Sequence, residues 1–128
     1  MVVAAEEVAR SFTSPDGLVV LVGRSARDND RLTFQVASQG DFWLHVAGTP
    51  GSHVVVSNPE GLARLPRETL RFAARLAVEH SKSNKAGKVT VHVARVKDVR
   101  KPRGAPPGQV ALGRFRSVKV STESASEA

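Results

Sequence analysis

Hydrophobic residues recur along this chain with two different periods, which predict a β-sheet and one principal helix. Residues 18–22 form a continuous apolar run of strand length, typical of a strand buried on both faces. Across residues 70–78 the apolar positions recur instead at intervals of three and four, the spacing of a helix with one buried face. Pro66 suits the first turn of that helix, and Asn84 and Gly87 are expected to end it.

Further short apolar runs predict strands on both sides of the helix. They are residues 42–46, 53–57, 89–93, 109–112 and 116–120. Residues 32–36 alternate as a strand does, but Asp30 could cap a short helix there, and we favour the helix. Strands before and after one helix predict an α+β fold, with a mixed or antiparallel sheet and the principal helix packed on one face.

Length and composition favour a single soluble domain. Of the 128 residues, we expect 1–11 to be an N-terminal lead, 12–120 the folded domain and 121–128 a disordered polar tail. The chain has no cysteine, which excludes disulfides and thiolate metal sites. No signal-peptide pattern or good membrane span is visible, so we expect a cytoplasmic protein with no membrane partner.

The chain is basic, and the positive charge is concentrated in its second half. It has 19 Lys and Arg against 12 Asp and Glu, a formal net charge of +7. Residues 82–119 contain eleven basic residues and one acidic residue, Asp98. Residues 100–108 form a basic Pro/Gly loop, whose prolines limit the conformations lost when the loop is ordered. A field of one sign favours polyanions, so the charge predicts a nucleic-acid partner.

One stretch, residues 41–53, concentrates unusual chemistry. It contains the only tryptophan and two of the four histidines. If it begins as a strand, Asp41, Trp43 and His45 share one face, whereas the residues between them are all apolar. A Pro-Gly turn then reverses the chain, and a hairpin would bring His53 near the same row.

Four separated segments resemble one protein family. Residues 22–33 are similar to its Gly-Arg-Asn…Asn-Asp-x-Leu-Thr motif, and residues 41–54 to its Asp-x-Trp-x-His…Pro-Gly-Ser-His signature. Residues 73–81 resemble its Ala-Ala…Ala…Ser helix, and residues 101–108 its Lys-Pro-Lys-Gly-Ala-x-Pro-Gly loop. The family is the NFACT-R domain, earlier filed as a domain of unknown function. Ser25 departs from the pattern, because the family usually has asparagine there.

The resemblance implies an RNA-binding module that acts in translation or ribosome-associated quality control. In large NFACT proteins such a domain accompanies other modules, and those proteins bind tRNA and stalled large ribosomal subunits. We therefore expect tRNA or rRNA as the partner, with the large ribosomal subunit as a further one, and leave the oligomeric state open. The candidate RNA-binding residues are Arg24, Asn29, Asp41, Trp43, His45, His53, Lys82, Lys85, Arg100, Lys101 and Arg103.

Within that set, aromatic and charged side chains have different expected roles. Trp43 and His45 would stack on an unpaired base. Asp41 would orient His45 or accept a hydrogen bond from a base edge. The cations would hold phosphates; they are Arg24, Lys82, Lys85, Arg100, Lys101 and Arg103.

Two alternatives remain open. A hydrolytic enzyme could use an Asp41/His45 pair with Ser52 or a water as nucleophile, but the two residues lie about 13 Å apart along an ideal strand and would need a bulge or His53 to couple. A metal site could use Asp41, His45, His53 and His92, although their spacing matches no compact ligand motif. The main interpretation is a non-enzymatic module with no metal and no cofactor.

Overall fold

Six antiparallel strands form the main sheet of this protein, which confirms the predicted α+β fold. The computed structural model describes residues 3–82, 85 and 87–122. The strands are β1 Ala9–Thr13, β2 Val19–Gly23, β3 Phe42–Val46, β4 Val54–Val56, β5 Lys88–Arg95, β6 Val99–Arg100, β7 Ala111–Leu112 and β8 Phe115–Ser121. The strand order across the main sheet is β1-β2-β4-β3-β5-β8, and β6 and β7 form a separate two-stranded ribbon. The helices are α1 Ala5–Val8, α2 Ala26–Arg31 and α3 Arg67–Glu79.

Both faces of the sheet are covered, at least in part. On one face, Leu44 and its neighbours pack against Ala73, Ala74 and Ala77 of α3, whose small side chains let the helix lie close to the strands. The other face carries a second core that contains Leu21, Trp43 and Val55 of the sheet together with residues of α1 and of the turn after α2. The sequence predicted the α3 layer, whereas this second layer was not foreseen.

The hairpin predicted for residues 41–57 is confirmed. β3 and β4 are antiparallel neighbours, with Trp43 opposite Val55 and Leu44 opposite Val54. β3 also pairs with β5, so Trp43 faces Ala94 on its other side. The hairpin therefore lies at the centre of the sheet, where its residues are enclosed by neighbouring strands.

Residues 32–36 are helical, as predicted, but the helical segment begins earlier and is capped by a different residue. Leu32–Val36 forms a π-helical turn that continues α2. The Oγ atom of Ser25 accepts a hydrogen bond from the amide of Asp28 at 3.0 Å and caps α2. The predicted cap at Asp30 is wrong, because Asp30 lies inside α2.

The segment predicted as an N-terminal lead contributes α1 and the start of the edge strand β1. α1 lies wholly within that predicted segment, residues 1–11, and β1 begins in it. β1 pairs along its full length with β2. Residues 123–128 of the predicted tail lie outside the described residues. No helix in the described ranges is long and apolar enough to cross a membrane.

α3 ends earlier than its predicted stop signals, because the chain after it pairs with the hairpin loop. The helix ends at Glu79, whereas Asn84 lies outside the described residues. The carbonyl of His80 then accepts from the amide of Ser52 at 2.9 Å, and the amide of Lys82 donates to the carbonyl of Pro50 at 3.0 Å. These bonds fix the end of α3 beside the Pro-Gly turn.

Candidate nucleic-acid interface

The aromatic row of the hairpin forms as predicted, and His53 joins it. The ring centroids of Trp43 and His45 are 5.8 Å apart and stacked. The ring of His53 lies edge-on to both, at 5.1 Å from Trp43 and 5.5 Å from His45. The three rings therefore form one compact aromatic cluster.

Trp43 lies inside the protein and presents no face to a ligand. Its exposed fraction is 1%, since α1 and the turn after α2 cover this part of the sheet. Its Nε1 atom is buried and has no hydrogen-bond partner among the described residues. Burial leaves no open indole face for the predicted stacking on a base, and we assign Trp43 to the second core.

Asp41 caps two turns instead of orienting His45. Its Oδ2 atom accepts from the amide of Ser38 and its Oδ1 atom from the amide of Asn58, both at 2.8 Å. The side chain is almost fully buried. Because backbone amides occupy both oxygens, the structure shows no Asp41–His45 pair of the kind that a hydrolytic site needs.

His53 connects three separate parts of the chain through both of its ring nitrogens. Nε2 donates to the carbonyl of Gly108 at 3.0 Å, which leaves Nδ1 to accept from the hydroxyl of Thr33 at 2.8 Å. In the neutral ring the proton is therefore on Nε2. Burial lowers the pKa of His53 to about 4, although the bond to the Gly108 carbonyl opposes the shift. The imidazole is therefore a structural link and has no nitrogen left for a metal.

Asn29 fastens α2 to the hairpin loop. Its Oδ1 atom accepts from the amide of His53 at 3.1 Å, and its Nδ2 atom donates to the carbonyl of Gly51 at 3.3 Å. A Cβ atom on Gly23 would clash with Asn29 Oδ1, and one on Gly51 would lie 2.9 Å from the Cβ of Ser81. Both positions therefore require glycine, because a neighbouring residue packs closely against each of them. Asn29 is 5% exposed and has a structural role.

Lys101 holds the basic Pro/Gly loop in shape. Its Nζ atom lies 2.9 Å from Oδ2 of Asp30 and donates to the carbonyls of Pro106 at 2.6 Å and Gln109 at 2.9 Å. The other oxygen of Asp30 accepts from the amide of Gly108 at 3.1 Å. An ammonium group has three donors, and all of them are used within the protein. The predicted phosphate contact of Lys101 would therefore compete with these internal contacts.

His45 is the one member of the aromatic cluster that reaches a surface cleft. The cleft has a volume of about 750 Å³ and lies between the start of α2, the hairpin loop, the end of α3 and the Pro/Gly loop. Burial lowers the pKa of His45, and hydrogen bonding to the backbone of Gly51 opposes that shift. The other polar side chains that line the cleft are Ser25, Asn29, Thr49, Ser52, His80, Ser81, Lys82 and Gln109.

Five of the predicted cations remain available to a ligand. Their side chains are exposed, and none takes part in an ion pair within the described residues. Lys82 lines the cleft, and Arg24 precedes Ser25 at its edge. The five are Arg24, Lys82, Lys85, Arg100 and Arg103.

The sequence profile of the NFACT protein RNA binding domain matches residues 9–114. The chain belongs to this family. It is 36% identical over 116 residues to the Rqc2 homolog RqcH of Bacillus subtilis, and 33% identical over 112 residues to the RqcH of Streptococcus suis. These matches cover 91% and 86% of the chain but only 20% of each relative. The chain thus spans about a fifth of the length of the curated relatives it matches.

A solved structure shares the fold. It is the C-terminal part of the fibronectin/fibrinogen-binding protein from Streptococcus suis, with a TM-score of 0.81 and 32% sequence identity. The match covers 89% of this chain and 45% of that one. The predicted family is therefore confirmed by both sequence and fold.

Within this NFACT RNA-binding domain, the signature residues and the exposed cations have different roles. Asn29, Asp41, Trp43, His53 and Lys101 are engaged inside the protein. Among the described residues, no group of three or more His, Asp or Glu side chains is arranged to hold a metal ion. What remains accessible is a cleft lined by two imidazoles, those of His45 and His80, and by the ammonium group of Lys82, which suits an anionic ligand.

Sequence reasoning missed several surface residues. Ser25 and His80 line the cleft, and Phe115 is a large exposed hydrophobic residue on β8. The sequence signal for Phe115 was its position between Arg114 and Arg116, directly before the strand predicted at residues 116–120.

Proposed function

We propose that this NFACT RNA-binding domain binds structured RNA, either tRNA or an element of rRNA, in cytoplasmic translation or ribosome-associated quality control. The observation that carries the proposal is a set of five exposed cations that form no ion pair with any residue the structure describes. They belong to a chain of net charge +7 and of an RNA-binding family. Contact between such a cation and a phosphate requires little free energy, because no existing ion pair must be broken.

The cleft supplies the local geometry of the proposed contact. Lys82 and Arg24 would bind phosphates at its edge, while Arg100 and Arg103 would extend the positive surface along the Pro/Gly loop. His45 would offer a neutral ring edge to a base or ribose. Structural bonds through His53 and Lys101 keep the loop in place, so little ordering would be required on binding.

The names of the relatives support the biological setting. Similar chains are called Rqc2 homologs, and this chain corresponds to one fifth of their length. The proposed role is accordingly an RNA contact, with the large ribosomal subunit as the setting in which that contact is made.

A salt titration with two charge-matched variants tests the proposal. Affinity for tRNA and for an rRNA fragment is measured for the wild type, for the Arg24→Gln/Lys82→Gln/Arg103→Gln variant and for a control variant. The control, Arg10→Gln/Arg67→Gln/Arg75→Gln, removes the same charge from β1 and α3.

We expect the wild type to bind with a steep dependence on salt. The first variant should reduce the slope of log K against log salt by about three, that is, about one for each lost phosphate contact. The control should change it little. Absence of binding at low salt, or equal effects of the two variants, would rule out the proposed interface.

A further inference from the structure

The edge strand β8 leaves part of the second sheet face open, and that open part carries an aromatic pair. In the pairing of β8 with β5, Ser117 lies opposite His92 and Phe115 opposite Ala94. Phe115 and His92 therefore point to the same face. Their ring centroids are 4.6 Å apart at an interplanar angle of 53°. Phe115 is 46% exposed. The face thus presents a phenyl ring whose position is fixed by a neighbouring imidazole.

A groove of about 240 Å³ adjoins this ring at the end of the sheet. Its apolar walls include Phe42, Leu65 and Phe115 itself. Three exposed arginines line it and take part in no ion pair within the described ranges; they are Arg64, Arg114 and Arg116. The groove shares no lining residue with the cleft at His45.

The remaining charges of the groove are one arginine and one carboxylate. Arg95 is already engaged, because it donates to the carbonyls of Gly40, Leu62 and Ala63 and lies 4.2 Å above the ring of Phe42. Asp98 contributes the single carboxylate. Three unpaired guanidinium groups against one carboxylate leave the groove positive, which favours a polyanion over an apolar peptide.

We infer that Phe115 is a base-stacking platform for a single-stranded RNA segment whose phosphates contact Arg114 and Arg116. A ring on an open sheet face stacks unpaired bases without requiring a particular base, and flanking cations follow the backbone. The proposal deepens the RNA-binding function proposed above by giving it a second surface. It also assigns the aromatic role to Phe115, since the only tryptophan is buried.

Phe34 provides a matched control. It is also a phenylalanine with a large exposed fraction, 40%, but it lies on the π-helical turn and lines neither the cleft nor the groove. A general effect of removing an exposed phenyl ring would appear equally at Phe34 and Phe115.

The test uses a short single-stranded oligoribonucleotide and an oligomer of the same length that has no bases. We expect Phe115→Ala to weaken binding of the first by about 5- to 150-fold, the loss typical of one stacked base. Phe34→Ala should leave that affinity unchanged. With the oligomer that lacks bases, Phe115→Ala should bind as the wild type does, because only phosphate contacts remain.

A second readout retains an aromatic ring at the site. In Phe115→Trp the new indole is exposed, so stacking of a base should quench its fluorescence, whereas Phe34→Trp should show no quenching. Native Trp43 is buried and gives a constant background.

The outcomes separate this inference from the proposed function. If the wild type binds no RNA, both are overturned. If it binds RNA while Phe115→Ala behaves as Phe34→Ala and Phe115→Trp is not quenched, the platform alone is overturned. If Phe115→Ala abolishes self-association in sedimentation but leaves RNA affinity unchanged, the patch contacts a second copy and the inference is likewise wrong.

Discussion

The Nε2 atom of His53 lies 3.0 Å from the carbonyl oxygen of Gly108, a residue 55 positions further along the chain. This single hydrogen bond joins the central hairpin to the basic Pro/Gly loop. Because the same ring accepts from Thr33 at 2.8 Å, the turn after α2 is tied to the same point. His53, a predicted RNA contact, thus links the segments that form the walls of the cleft.

Protonation of His53 should destabilise the fold in acid. Its pKa is about 4 when folded and about 6.5 when unfolded, so the unfolded chain binds more protons between these values. The stabilisation is complete above about pH 6.5 and is lost as the pH falls towards about 4, by roughly 3 kcal/mol in total. Urea unfolding of the wild type and of His53→Gln across this range measures it. The free energy of unfolding of His53→Gln should depend less on pH than that of the wild type. An equal pH dependence of the two proteins would contradict the assignment of the low pKa to His53.

Truncation of Trp43 should damage the fold and leave the RNA surface intact. Trp43→Ala should lower the free energy of unfolding by about 3–5 kcal/mol, the usual cost of removing a buried aromatic side chain. Trp43→Phe should cost less and remain folded. Its affinity for RNA should then equal that of the wild type. A large loss of RNA affinity in folded Trp43→Phe would restore a direct stacking role for the indole.

Substitution of Lys101 should change the stability of the fold, whereas substitution of Arg103 should change RNA binding, although the two residues are two positions apart in one loop. Lys101→Met leaves Oδ2 of Asp30 and the carbonyls of Pro106 and Gln109 without their lysine donor, so we expect a loss of about 1–3 kcal/mol of stability. Arg103→Gln should leave stability unchanged and reduce the salt slope of RNA binding by about one. Thermal unfolding and salt titration of both variants check this pair, and the reverse pattern would contradict it.

Gly23 should tolerate a side chain only when Asn29 is shortened. Gly23→Ala places a Cβ against Asn29 Oδ1 and should cost about 1–3 kcal/mol of stability. In an Asn29→Ala background the obstruction is gone, so the same change should cost clearly less. Unfolding of the four proteins of this double-mutant cycle gives the coupling. Additive costs would show that the two residues do not compete for the same space.

The fold was predictable because its signals are local. Three local patterns directly indicate which residues are buried. They are the apolar run before Gly23, the alternation through residues 42–46, and the spacing of Ala73, Ala74 and Ala77. The second layer was harder to foresee, because α1 and the π-helical turn after α2 are short. Their packing in one core with Trp43 brings together residues far apart in sequence. Alternation places Trp43 on a face but cannot show that another layer covers that face.

The candidate site was predictable in outline and not in its roles. Sequence reasoning selected the residues around the cleft but assigned RNA contacts to Asn29, Asp41 and Lys101, which the structure shows bonded within the protein. Such partners are brought together only by the folded structure. Lys101 and Asp30, for example, form a hydrogen bond although they are 71 positions apart in the sequence. The exposed cations, which need no internal partner, were the part of the site that composition alone could identify.

The most direct test of the account is a backbone NMR titration of this 13.7 kDa chain with tRNA. The central claim is that RNA meets the cleft and its cations, while the outer face of α3 stays in solvent. We predict that amide shifts and broadening concentrate at Arg24, Ser25, Lys82 and Arg103, with Arg67 and Arg71 unaffected. Changes concentrated on α3, or no changes at saturating tRNA, would contradict the claim.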